Sequence, residues 1–153
     1  MSDLKTKQRN ECYTYYKIVG DFDPDTVTGL LGIVPERSWK KGDRRANGTV
    51  YDFSCWITGT CREYDVETDR QMMKTLEALL DKTESLNEIK RRYDADFFLE
   101  VVPTVSPAER TPCLAPSLEV MRFCCATETN LDIDLYVNSR DKFEVDEVMI
   151  KER

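Results

Sequence analysis

Residues 131–137, Leu-Asp-Ile-Asp-Leu-Tyr-Val, alternate apolar side chains with polar or aromatic ones. A strand sends successive side chains to opposite faces, so this segment has one face for a core and one for water. Buried parallel sheets read as continuous apolar runs; clean alternation belongs to a sheet covered on one side, more easily found in antiparallel sheets. The chain is thereby steered to architectures that stack helices on a single face of a sheet.

Other segments fit the same sheet. Residues 12–19 are aromatic and β-branched and read as a first strand, closed by Gly20. Residues 37–41 form a short strand before a loop marked by Gly42 and Gly48. Residues 50–58 follow, with Tyr51, Phe53, Cys55 and Ile57 on one face and Asp52, Ser54, Trp56 and Thr58 on the other. Residues 96–102 make another strand, ended by Pro103.

Helices fall between. Asp23 caps the first, Pro24 suits its opening position, and Asp25 favours the positive end of the helix dipole. Val27, Leu30 and Leu31 share a face, and Gly32 ends the helix in a left-handed conformation. Residues 66–81 carry an apolar face with Met72, Met73 and Leu76, read as ordinary core. Ser85-Leu86-Asn87-Glu88 has the form of a capping box for a further helix. Residues 116–126 read as the last helix, carrying Leu118, Met121 and Cys125 inward. The predicted fold is α+β: a two-layer sandwich, a mostly antiparallel sheet with helices on one face, for which a ferredoxin-like arrangement is the nearest common architecture. No composition break divides the 153 residues, so 1–153 reads as one domain with its core at about 12–138; residues 1–10 and the tail after 138 are expected to be loose.

Charge and residue types narrow the function. Zero His removes the usual neutral-pH general base and the imidazole ligands of most catalytic zinc sites. The formal charge of −7 lacks the electrostatic footprint of a nucleic-acid binder. Six cysteines without a Cys-x-x-Cys pair are expected to be free thiols; Cys124 and Cys125 point about 100° apart on a helix and do not bridge. The first residues lack the apolar core of a signal peptide, and no run of about 20 apolar residues spans a membrane, so a cytoplasmic protein is expected. Asp21, Asp23 and Asp25 imitate a calcium loop, but Thr26 and Gly32 stand where that loop wants Gly and Glu. Asp132 and Asp134 share a strand face, read as solvated rather than as a cation site.

The local anomaly is the stretch 37–45, with Arg37, Lys40, Lys41, Arg44 and Arg45 against Asp43 alone and Trp39 interleaved. Such a cluster grips phosphate or an acidic protein surface, or it is a solvated hairpin with Trp39 packed on the core. Trp56 is either an exposed contact or buried under a helix. The candidate binding residues are therefore Arg37, Trp39, Lys40, Lys41, Asp43, Arg44, Arg45 and Trp56.

Phe22-Asp23-Pro24-Asp25, then Leu30-Leu31-Gly32-Ile33, Pro35 and Trp39-Lys40-Lys41-Gly42-Asp43, resemble the bacterial family called domain of unknown function 4279. Residues 97–100 and 131–136 are similar to the same pattern, so the resemblance covers roughly 12–138. It implies a small bacterial cytoplasmic protein and carries no activity, cofactor or catalytic residue to transfer. The expected function is a non-enzymatic protein-binding module of the immunity type. A small-ligand or anion-binding domain built on residues 37–45, with weak carboxylate-based hydrolysis as an option, is the alternative. No cofactor, metal or catalytic set is expected, and nucleic acid ranks last among partners.

Overall fold

The computed structural model describes residues 9–64 and 67–138. The expectations for residues 1–8, for Val66 and for the tail after 138 lie outside them. The elements run β1 (Glu11–Gly20), α1 (Pro24–Leu31), β2 (Arg37–Trp39), β3 (Ser54–Glu63), α2 (Thr68–Leu76), α3 (Thr83–Tyr93), β4 (Asp96–Val105), α4 (Leu118–Thr127), β5 (Thr129–Ile133) and β6 (Tyr136–Val137). The fold is α+β. The strands lie in the order β2-β3-β1-β4-β5, with β6 continuing beside β4. Pairings from β2 through β4 are antiparallel, so the first four strands have the split βαβ order of a ferredoxin-like sheet. The sheet is nevertheless mixed, because α4 returns the chain so that β5 and β6 run parallel to β4. The alternation at 131–137 thus sits in a parallel edge strand, broken after Ile133, with Leu131 and Ile133 still more than a third exposed.

Alternation in β1 sets the two layers. Cys12, Thr14, Tyr16 and Ile18 point to the helices and are fully buried with Val27 and Leu31 of α1, Met72 and Leu76 of α2, Leu86 and Ile89 of α3, and Val120 and Phe123 of α4. The first helix is as its sequence predicts. The Asp25 N–H donates to Asp23 Oδ1 at 3.0 Å, and Gly32, at φ 65°, donates to the Thr28 carbonyl.

Other boundaries differ from the sequence expectations. β3 begins at Ser54, and its core side is Ser54, Trp56 and Thr58. Trp56 is fully buried under α1, where its Nε1 donates to Thr28 Oγ1 at 3.0 Å. Tyr51 and Phe53 lie before the sheet and pack around Trp39 instead, so the apolar-looking face of 50–58 is not the core face. β4 passes through Pro103. The missing N–H falls on the side where the neighbour changes from β5 to β6, so no ladder donor is needed there. α3 opens at Thr83, after Lys82, so Ser85 is inside the first turn rather than a cap. α2 ends at Leu76, and Leu79 reaches the core from the following turn. α4, capped by Ser117, buries Val120, Phe123 and Thr127; Leu118, Met121 and Cys125 face outward, because the Phe123 ring packs edge-on against Tyr16. Asn10, expected in a loose end, is buried and accepts from the Ser106 N–H.

Candidate functional site

The other face of the sheet carries no helix among the described residues, and strand register orders its side chains in rows. One row runs Arg37, Ile57, Lys17, Phe98, Asn130 across β2, β3, β1, β4 and β5. The next holds Tyr15, Glu100 and Asp132, and the one after holds Arg62, Tyr13 and Val102. Lys17 pairs with the buried Glu100 and lies 4.9 Å from the Phe98 ring centre. Tyr13 and Tyr15, two apart on β1, stack at 6.1 Å and 11°, and the Arg62 guanidinium sits 4.9 Å over Tyr13. Arg62 also reaches Glu11 at 3.5 Å. Burial, with Glu100 close by, pushes the Tyr15 hydroxyl up to about 12, so it stays a neutral donor.

These residues surround a groove of about 560 Å³ lined by Tyr13, Tyr15, Ile57 and Arg62, with Glu36 and Arg37 on its β2 side. A local irregularity shapes it. Between Thr14 and Tyr16 the register with β3 slips, and Gly59, at φ 72°, takes the conformation that lets Thr60 and Arg62 border the groove.

The basic stretch forms the root of an arm beside this face. Trp39 stacks on Tyr51 at 4.7 Å and 19°, with Phe53 tilted against it. Arg37 lies 5.4 Å from the Trp39 ring and Arg45 lies 4.6 Å from the Tyr51 ring, so an arginine attends each ring of the stack. Lys40 Nζ meets Asp23 at 3.0 Å and Lys41 Nζ meets Asp21 at 2.9 Å, which ties the arm to the start of α1. Hydrogen bonds donated by the Lys40 ammonium and by the Asp25 N–H hold the Asp23 carboxyl below the usual aspartate range, and Lys40 rises in turn. Asp43 accepts from the Lys40 N–H at 2.9 Å, closing the turn, and the exposed Arg44 bridges to Val50. Arg37, Arg44 and Arg45 make no ion pair with the described residues.

The structure therefore brings Arg37 and Trp39 to the open face, uses Lys40, Lys41 and Asp43 locally, and buries Trp56, the register partner of Ser38, on the opposite face of the sheet. Sequence reading missed Tyr13, Tyr15, Ile57 and Arg62. The period-2 pattern of 12–19 contains the tyrosine pair, but only pairing with β3 places Arg62 beside it. No group of three or more His, Cys, Asp or Glu among the described residues could hold a metal, and no helix there is long and apolar enough to cross a membrane.

The family model described as domain of unknown function (DUF4279) matches residues 10–138. The chain belongs to this family. The DUF4279 match begins at buried Asn10 and ends at Asn138, whose N–H bonds to the Val105 carbonyl, so it takes in all ten elements of the described residues. No curated protein and no solved structure matches the chain.

Proposed function

We propose that this DUF4279 protein is a non-enzymatic protein-binding module that binds through the open face of its sheet. The observation that carries this reading is the convergence of Tyr13, Tyr15, Arg37 and Arg62 on one groove in a face that no described helix covers. Tyr and Arg are the residue types in which contact energy concentrates, and a central strand holds the two tyrosines rigidly. Small-molecule sites enclose about 70–90% of their ligand, whereas this groove lies open along the sheet, which favours a protein surface. The thiols of Cys12, Cys55 and Cys124 are pushed up to about 11 by burial, away from nucleophilic use. Six free thiols suit a reducing compartment, and we place the protein in the cytoplasm. A small anion held at the arm is the second reading: Arg37, Arg44 and Arg45 have no carboxylate partner among the described residues, while Asp21 and Asp23 already occupy the two lysines.

Display of fragments of the host proteome against the full chain tests the binding face. Selected binders should be lost with Tyr15→Lys and kept with Arg91→Glu, a change on the helix side. Binders indifferent to Tyr15→Lys and to Arg62→Ala alike would refute the assignment of the face.

A further inference from the structure

β1 is the third strand in the row β2-β3-β1-β4-β5, so its open-face side chains mark the midline of the sheet. The two sides of that midline carry opposite charge. Arg37 and Arg62 stand on the β2–β3 side. Asp96, Glu100 and Asp132 stand on the β4–β5 side, with Asp134 just beyond β5, where it accepts from the Tyr136 hydroxyl at 2.8 Å. The exceptions are held locally: Glu36 accepts from the Thr60 N–H, Glu11 faces Arg62, and Lys17 is paired with Glu100. Arg37 and Asp132 are both exposed and make no ion pair with the described residues. Between the charged flanks lie Tyr13, Tyr15, Val19, Ile57, Phe98 and Val102, all half-buried or buried.

We propose that this face docks a second copy of the chain, with the two-fold axis running along β1. A half-turn about that axis lays the β2–β3 side of each sheet over the β4–β5 side of the other. Basic side then meets acidic side twice, once in each direction, and the tyrosines meet at the axis. An in-plane axis across the strands would set like charge on like and is disfavoured. A uniformly acidic partner would be repelled by Asp132 and Asp134, a uniformly basic one by Arg37 and Arg62. The face requires its own inverse, and its own two-fold image supplies it. The inference rests on the open face being the contact surface, and names what contacts it.

Charge exchange across the two-fold tests this on the full chain by sedimentation and light scattering, from micromolar to millimolar concentration. The wild type should have twice the mass of one chain. Arg37→Asp and Asp132→Arg should each weaken self-association by more than about a hundredfold, since each places like charges together twice. An equimolar mixture of the two variants should recover the dimer, because one contact is then native and the other is reversed in sign. Arg91→Glu should change nothing. A monomeric wild type, a dimer insensitive to both reversals, or a mixture no tighter than its components overturns the second-copy inference. The display selection with Tyr15→Lys then still decides the binding face by itself.

Discussion

Replacing Gly59 by Ala tests the join between the groove and the helix layer. Gly59 sits where the β1–β3 register slips, at φ 72°, a conformation costing an L-residue about 1–2 kcal/mol. Space compounds the cost. A Cβ there would stand 2.4 Å from the Thr75 carbonyl oxygen and 3.2 Å from the Thr75 Cα, which are backbone atoms of α2 and have no rotamer to escape into. Thr75 Oγ1 donates to the Gly59 carbonyl at 2.6 Å and lies 2.7 Å from Thr14 Oγ1, so α2 is clamped at this contact. Forcing the backbones apart adds about 1–3 kcal/mol, as overpacking does elsewhere. The expected total is about 2–5 kcal/mol, a large share of a stability of about 5–15 kcal/mol. Gly48→Ala is the internal control: its φ is 84°, but nothing lies within 4 Å of the added carbon. Urea unfolding followed by circular dichroism should show the lower midpoint for Gly59→Ala, with the slope unchanged. Equal losses for the two variants would mean that the α2 contact exerts no constraint and that the bulge is not pinned from behind.

Trp56→Ala should cost about 3–5 kcal/mol, because the ring is fully buried beneath α1. Trp39→Ala should cost clearly less, the loss being led by the ~0.5–1.5 kcal/mol of a stacked pair; equal losses in chemical denaturation would contradict the placement of Trp39 in a satellite cluster. Asp23→Ala should destabilise α1 in a pH-dependent way. The folded pKa is lowered, so the stabilisation is present above the ordinary aspartate value and is lost as pH falls through the folded one; a gap between wild type and variant that persists unchanged in acid refutes this. Asp23→Asn, which keeps a cap acceptor and drops the ion pair with Lys40, should lie between the two. Under denaturing, non-reducing conditions six thiols should react; in the native protein Cys113 and Cys125 should react first and Cys12 and Cys55 last, the reverse order being evidence against the burial described.

Local chemistry was legible wherever neighbours in sequence supply the partners. The cap at Asp23, the turn at Gly32, the four helices and the strands of a one-sided sheet follow from side-chain period and backbone preference, which act within a few residues. The same period gives two faces to a strand without saying which is inside. For 50–58 the alternation left the inward face open, and tertiary packing decided it: Tyr51 and Phe53 serve a separate cluster with Trp39 while Trp56 fills the core. In α4 apolar residues lie on more than one side, so the inward stripe depends on where Tyr16 receives Phe123. The parallel course of β5 depends on α4 carrying the chain back along β4, a property of the crossover and not of residues 129–133. The site followed the same division. Its arginine and tryptophan on β2 were visible as a composition anomaly, whereas the tyrosines lay in a segment legible only as a strand. Arg62 stands almost fifty residues from Tyr13, and only the antiparallel pairing of β1 with β3 sets the guanidinium over the ring. The fate of Lys40 and Lys41 was decided in the same way, by an arm folding back on α1 to meet carboxylates that the sequence could count but not place.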